Sequence, residues 1–293
     1  MIAEGEHRVV VNGIEHWCRV AASDRRLGPL VIIHGGPGGN NYAFERTIGS
    51  LLEDFASVIY YDQRGSGRSA APADENAYSI ELLVEDLEKL RAAVEAPVVT
   101  PLGYSFGAEI AMAYALAYPD AINALIVQAP IEEDPAVAAN VQLDGFRAVA
   151  RDRTKGVIER ILSSIAVAED KAGSVWAEAD TDLVDRFLFQ DPIAARSNRE
   201  LWRRSGLVNT GAMDRALRRS GERVVPRARL GAIAAPTLVL VGRHDRNCGV
   251  RPSEEVARRI PRAELRIFEE SAHFPDIEEP AAYAWAVREF LAR

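Results

Sequence analysis

The 293 residues carry 35 Lys plus Arg against 43 Asp plus Glu, a formal charge of −8, with 48% hydrophobic and 27% charged residues. That acidic balance argues against nucleic acid or an anionic membrane as the main partner, and no apolar run is long enough for a spanning helix. Cys18 and Cys248 make no disulfide framework, and the opening MIAEGEHRVV lacks the basic and apolar regions of a secretory leader, so the expected setting is the cytoplasm.

In chain order, HRVVVNGIEHWCRVAA holds two β-rich runs broken by Asn12-Gly13, a dipeptide that supplies the positive φ angles of a tight hairpin. The apolar runs at 30–34, 57–62, 96–103 and 122–129 follow, separated by helical stretches, and two more occur at 237–242 and 263–268. Continuous rather than alternating hydrophobicity suits strands covered on both faces. The expectation is an α/β fold with a mostly parallel sheet, an antiparallel N-terminal hairpin and crossover helices, closed by an amphipathic helix in AAYAWAVREFLAR. From 131 to 226 the strand signal vanishes and apolar residues fall at helical spacing, as in VIERILSSIAV and LVDRFLF. We expect a helical cap at 131–226 inserted into a core of 1–130 and 227–293. Residues 147–229 hold 17 Lys plus Arg against 12 Asp plus Glu, which could attract an anion but equally describes solvated arginine faces.

GYSFG at 103–107 lies between the strand-like APVVTPL and the helix-like AEIAMAYALAY, the context in which G-x-S-x-G has a mechanical meaning. A sharp strand-to-helix turn pushes Ser105 out at the carboxyl end of the sheet, and Gly103 and Gly107 let strand and helix approach. A serine hydroxyl needs a base. Of five histidines, His7 and His16 belong to the hairpin, His34 shapes the HGGPGG loop and His244 adjoins a carboxylate. His273, between the last strand and the last helix, is the expected base. Asp245, at the end of the penultimate strand, is the expected acid, ranked above Asp276 and Glu270, which have no strand end to aim them. Gly36 of HGGPGG and Phe106, the residue after the nucleophile, are the expected oxyanion donors through their N–H groups. The glycines do not fit a dinucleotide fingerprint, no G-K-[ST] occurs, and neither H-E-x-x-H nor paired cysteines suggest a metal. No cofactor is expected.

These segments resemble the α/β-hydrolase superfamily throughout the chain. More narrowly they resemble the proline iminopeptidase family of serine peptidases, through HGGPGG at 34–39, DQRGSGRS at 62–69, GYSFG at 103–107 and GRHDRNC at 242–248. SAHFPDIEEP is similar to the family's histidine segment. The resemblance implies Ser105, Asp245 and His273 as the triad and Cys248 as a thiol near it. The family's nucleophile motif usually reads G-G-S-W-G, whereas Tyr104 and Phe106 flank the serine here. Family members bind the substrate's free N-terminus with cap glutamates, for which Glu178 and Glu200 are the candidates, although neither neighbourhood matches the family cleanly and each also reads as an exposed helix residue.

Trp176, Trp202 and Phe187 in the cap could line a pocket or pack a core, and Tyr104 is a candidate substrate contact. Asp62 and Arg64 read as scaffold for the HGGPGG loop, and Glu109 as a helix-face residue. The expected function is a serine hydrolase releasing N-terminal proline or a similar small residue from short peptides. The alternatives are an esterase, amidase or carbon-carbon hydrolase acting on a small metabolite, and a non-catalytic small-molecule receptor on the same fold.

Overall fold

The computed structural model describes residues 1–22, 27–221 and 224–293. The chain opens with β1 (Gly5–Val11) and β2 (Ile14–Ala21), paired antiparallel. Asn12 and Gly13 between them take φ values of 49° and 74°, the left-handed pair whose twist matches that of the flanking strands. Next come β3 (Leu27–Ile33), α1 (Tyr42–Thr47), α2 (Gly49–Glu53), β4 (Ala56–Tyr61), α3 (Ile80–Ala93), β5 (Thr100–Tyr104), α4 (Phe106–Ala117) and β6 (Leu125–Gln128). Six helices follow: α5 (Pro135–Val149), α6 (Asp152–Leu162), α7 (Ala168–Glu178), α8 (Thr181–Leu188), α9 (Pro192–Ser205) and α10 (Ala212–Ser220). The chain ends with β7 (Thr237–Gly242), α11 (Arg251–Arg259), β8 (Ala263–Phe268), α12 (Pro275–Glu278) and α13 (Pro280–Leu291).

Among the described residues the strands form one sheet in the order β1-β2-β4-β3-β5-β6-β7-β8, parallel from β4 to β8. Successive side chains of a strand point to opposite faces, and here both faces are covered. Val31 and Ile33 of β3 pack with Leu87 of α3 and Ile110 of α4, whereas Leu30 and Ile32 pack with Phe44 of α1 and Val287 of α13. Each such buried side chain contributes about 1.5–3 kcal/mol. Two faces buried at once explain why the strands read as unbroken apolar runs.

Two strands are shorter than their apolar runs. The run at 96–103 becomes β5 only from Thr100, because Pro97 has no N–H for a ladder and its carbonyl is taken by Arg91 Nη1 at 3.0 Å. The run at 122–129 narrows to β6 at 125–128.

The helices α5–α10 intervene between β6 and β7, which are parallel neighbours with Leu125 opposite Thr237. They carry a core of their own, including Leu143, Phe146, Ile158, Val175 and Phe187. The side chains of Asp134, Asp180 and Asp191 cap the N-termini of α5, α8 and α9. Residues 222 and 223 of the expected cap lie outside the described residues. Strand order reverses between β3, which leads to β4 on one side, and β5, which leads to β6 on the other. The crevice at the carboxyl ends of β3 and β5 is therefore where an open α/β sheet receives a ligand.

Candidate active site

Ser105 occupies that crevice. β5 passes directly into α4, and Ser105 between them has φ 55° and ψ −123°. Holding a residue with a Cβ there costs on the order of 1–3 kcal/mol, and close packing imposes it. A Cβ on Gly103 would lie 2.1 Å from the Gly107 carbonyl oxygen, and one on Gly107 would lie 2.0 Å from that of Ile33. The Ser105 N–H donates to the Gln128 carbonyl at 2.8 Å, and the side chain stands at the positive end of α4.

Asp245 follows β7 and His273 follows β8. They meet with His273 Nδ1 2.9 Å from Asp245 Oδ2, both side chains buried. The other carboxylate oxygen accepts the N–H groups of Asn247 at 2.8 Å and Cys248 at 2.9 Å. Gly242 makes this meeting possible, since a Cβ there would lie 1.9 Å from the Ala272 carbonyl oxygen. Burial pushes the Asp245 carboxyl up, but the charge and hydrogen bond of His273 and the two N–H donors bring it below its ordinary value. Burial pulls the imidazole down, yet Asp245, then Asp276 and Glu278, outweigh it and raise the His273 pKa.

The third link differs from the expectation. His273 Nε2 faces Asn247 Nδ2 at 3.3 Å, while the Cys248 thiol lies beside the Ser105 hydroxyl and accepts from Asn247 Nδ2 at 3.8 Å. That thiol is itself within 4.8 Å of the donor atoms of Asp245 and His273. Among the described residues no hydrogen bond joins Ser105 to His273. Burial, then Asp245, raises the Cys248 pKa well above its ordinary value, so it stays a thiol. The spacing of Asp245, Cys248 and His273 resembles that of a cation site, but Asp245 and His273 already spend their facing atoms on each other.

The HGGPGG loop after β3 presses against the serine elbow: a Cβ on Gly35 would lie 3.0 Å from Ser105 Cβ and 2.9 Å from the Tyr104 carbonyl oxygen. Gly36, next in the chain, has φ 130° and room for no side chain, with Gly38 N and Gly39 N each 2.6 Å from a built Cβ. Phe106 is the first residue of α4, so its N–H is among those a helix leaves without an intrahelical acceptor. His34 shapes the loop, accepting the Gln63 N–H on Nε2 at 3.0 Å. Asp62 accepts from Asn41 N and Arg68, and Arg64 pairs with Asp86 in the interior, so both serve the scaffold.

Among the described residues Glu178, Glu200 and Trp202 make no hydrogen bond or ring contact with Ser105, Asp245 or His273. Glu178 lines a cavity of about 130 Å³ with Arg153, Asp180 and Leu183. Glu200 is bound by Arg203 and Arg204 on the surface of α9, and those hydrogen bonds lower its pKa to about 2. Trp176 packs edge-on against Phe146 and Phe187 inside the insertion's core. Tyr104 lies against the loop, its hydroxyl donating to the Asn40 carbonyl at 3.2 Å and its ring stacked on Phe44.

His16 lies in β2 as expected, and the helix-face reading of Glu109 changes. His16 is fully buried against Asp86 at 3.3 Å, and Glu109 is fully buried and ion-paired with Arg227, because α4 packs on every side. The side chains that sequence reasoning missed are amides: Asn247 and Gln142 near the imidazole, and Gln128 beneath it, donating to Asp276 at 2.8 Å. Asn247 sits inside the GRHDRNC segment, which is the one signal that could have found it.

The chain is 27% identical over 270 residues to a proline iminopeptidase of Heyndrickxia coagulans, covering 90% of each protein. It is 28% identical over 268 residues to a 2-hydroxymuconate semialdehyde hydrolase of a Pseudomonas, covering 90% of this chain and 87% of that one. The crystal structure of a proline iminopeptidase-related protein from Thermus thermophilus superposes with a TM-score of 0.79 at 28% identity, covering 99% of this chain and 98% of that one. With the serine elbow, the eight-stranded sheet and a match to the alpha/beta hydrolase fold model over residues 28–280, the chain belongs to the alpha/beta hydrolase family.

Proposed function

We propose that the protein is a serine hydrolase in which Ser105, His273 and Asp245 act as a triad through an acyl-enzyme. The observation that carries this reading is the 2.9 Å bond from His273 Nδ1 to Asp245, beside a serine on a strained elbow. His273 takes the Ser105 proton on Nε2 as Oγ attacks the substrate carbonyl. Asp245 stabilises the imidazolium, and the N–H groups of Gly36 and Phe106 hold the oxyanion. The imidazolium then gives its proton to the leaving group. A water, deprotonated by the same nitrogen, releases the acyl group and restores the serine. This chemistry requires no cofactor.

The leading substrate class is a short peptide or aminoacyl amide with an N-terminal proline or similar small residue. Likeness to proline iminopeptidases over nine-tenths of the chain supports it. The second reading, carbon-carbon bond hydrolysis of a small metabolite, is favoured by comparable likeness to the semialdehyde hydrolase. A fluorophosphonate probe tests the triad: wild type is labelled, S105A is not, and a folded wild type that stays unlabelled rules out the enzyme reading in favour of a receptor. A panel of aminoacyl-naphthylamides beside p-nitrophenyl esters tests the substrate. Faster turnover of N-acylated than of free-amine substrates overturns the aminopeptidase reading.

A further inference from the structure

A hydrogen-bonded chain runs from the helical insertion to the nitrogen with which His273 would serve Ser105. The Trp176 indole N–H on α7 donates to Gln142 Oε1 on α5 at 3.0 Å. Gln142 Nε2 donates to Asn247 Oδ1 at 3.0 Å, and Asn247 Nδ2 faces His273 Nε2 at 3.3 Å.

The far end dictates the direction of the chain. An indole N–H can only donate, so Gln142 must turn its oxygen to Trp176 and its amino group to Asn247. Asn247 must then turn its oxygen to Gln142, which leaves only its amino group for the imidazole. Nε2 must therefore accept, which requires a neutral ring with its proton on Nδ1. The 2.9 Å bond from Nδ1 to Asp245 likewise needs the proton on Nδ1, which the neutral tautomer carries. The Asp245 contact places the proton on Nδ1 and the Asn247 contact leaves Nε2 bare; together they describe the neutral ring that a general base needs.

We propose that Trp176, Gln142 and Asn247 form a positioning relay through which the helical insertion holds His273 Nε2 as a proton acceptor and keeps Ser105 from it until substrate arrives. This inference rests on the triad reading. At 3.3 Å the last link is long for a hydrogen bond and easily surrendered. While it stands, Nε2 is engaged by Asn247 and no hydrogen bond joins it to the Ser105 hydroxyl among the described residues. A substrate that displaces Asn247 frees Nε2 for the serine. The groups that bear on the ring are Asp245 with its neighbours Arg246 and Cys248, and Asp276 and Glu278 on α12, the last in contact with Asp191 at the start of α9. All of them remain in the variants below.

The experiment uses W176F, N247A and the wild type. W176F keeps an aromatic ring against the stacked Phe146 and Phe187 but removes the donor. Gln142 and Asn247 can then reverse and present an oxygen to a protonated Nε2. The rate of fluorophosphonate labelling is measured against pH, and the His273 midpoint is read separately by NMR of 13Cε1-labelled histidine. Losing the partner of the neutral ring raises its pKa, so in both variants the acidic limb moves up by about half a pH unit, a roughly threefold loss of reactivity below the midpoint. N247A also reacts faster than wild type above the midpoint, because nothing competes with Ser105 for Nε2. Limbs and NMR midpoints unmoved in both variants, with S105A still unlabelled, overturn the relay and leave the triad standing. Labelling of S105A overturns the triad and the relay with it. Should N247A not fold, W176F alone decides.

Discussion

Glu109 and Arg227 form a buried, two-bonded ion pair, Nη1 to Oε2 and Nη2 to Oε1, each 3.0 Å, although 117 other residues separate them in the chain. Glu109 lies one helical turn beyond Ser105. Its carboxylate also accepts the N–H groups of Ile131 at 3.0 Å and Val225 at 2.9 Å, and Arg227 bonds the Ile131 carbonyl. One carboxylate on α4, the helix that Ser105 heads, therefore ties together the two ends of the helical insertion.

Removing one member leaves the other charge buried and unpaired, which costs about 3–5 kcal/mol. Glu109→Gln and Arg227→Met are each expected to lose stability on that order in urea unfolding. The double variant is expected to lose less than the sum of the two. Full additivity would show that the two groups are not coupled.

Asp245→Asn tests the tautomer. Oδ1 accepts two backbone N–H groups, so the asparagine must keep its oxygen there and offer its amino group to His273 Nδ1. The ring is then driven to carry its proton on Nε2, where it cannot take one from Ser105. Turnover is expected to fall by a factor on the order of 10⁴ with little change in KM. Kinetics on the best substrate from the panel checks this.

Asp276 links stability to pH. Burial raises its carboxyl from the ordinary 3.8 to about 6, against the hydrogen bond from Gln128. A folded value above the unfolded one means that its contribution is fully present below 3.8 and is lost as pH rises through about 6. Asp276→Asn keeps an oxygen for Gln128 Nε2 and removes the ionisation. It is expected to gain up to about 3 kcal/mol relative to wild type at pH 7 and nothing at pH 3.5. The acidic limb of activity should also move down, since one carboxylate that raises the His273 pKa is gone. Urea titrations at the two pH values and a pH–rate profile measure both effects.

Gly242→Ala tests the seam between β7 and the histidine loop. The added carbon would meet the carbonyl oxygens of Ala272 at 1.9 Å and Ser271 at 2.5 Å, while His244 N holds Ser271 O at 3.0 Å across the same seam. The loop must shift, and His273 with it, away from Asp245. We expect a loss of roughly 1–3 kcal/mol and at least tenfold slower phosphonate labelling, read by urea midpoint and labelling rate.

The strands, the hairpin turn and the serine elbow were legible in the order of residues because each depends on local chemistry. Apolar runs find a doubly covered sheet, Asn12-Gly13 supplies the turn, and Gly103 and Gly107 clear the way for α4. Asp245 and His273 could be named because strand ends aim them. Glu109 was misread for the opposite reason, since helical spacing places it on a face but says nothing of an arginine more than a hundred residues away. Trp176 likewise carries no mark that its N–H points down a chain of amides rather than into a pocket.

Hydrophobic periodicity and turn stereochemistry thus determined the sheet, most of the helices and the serine elbow without reference to distant contacts. Only the tertiary structure decided which polar side chains meet: Asn247 on His273, Gln128 on Asp276, and Glu109 on Arg227. Hydrogen bonds and buried charges are settled within about 3 Å by groups that packing brings together, and separation along the chain does not encode that proximity.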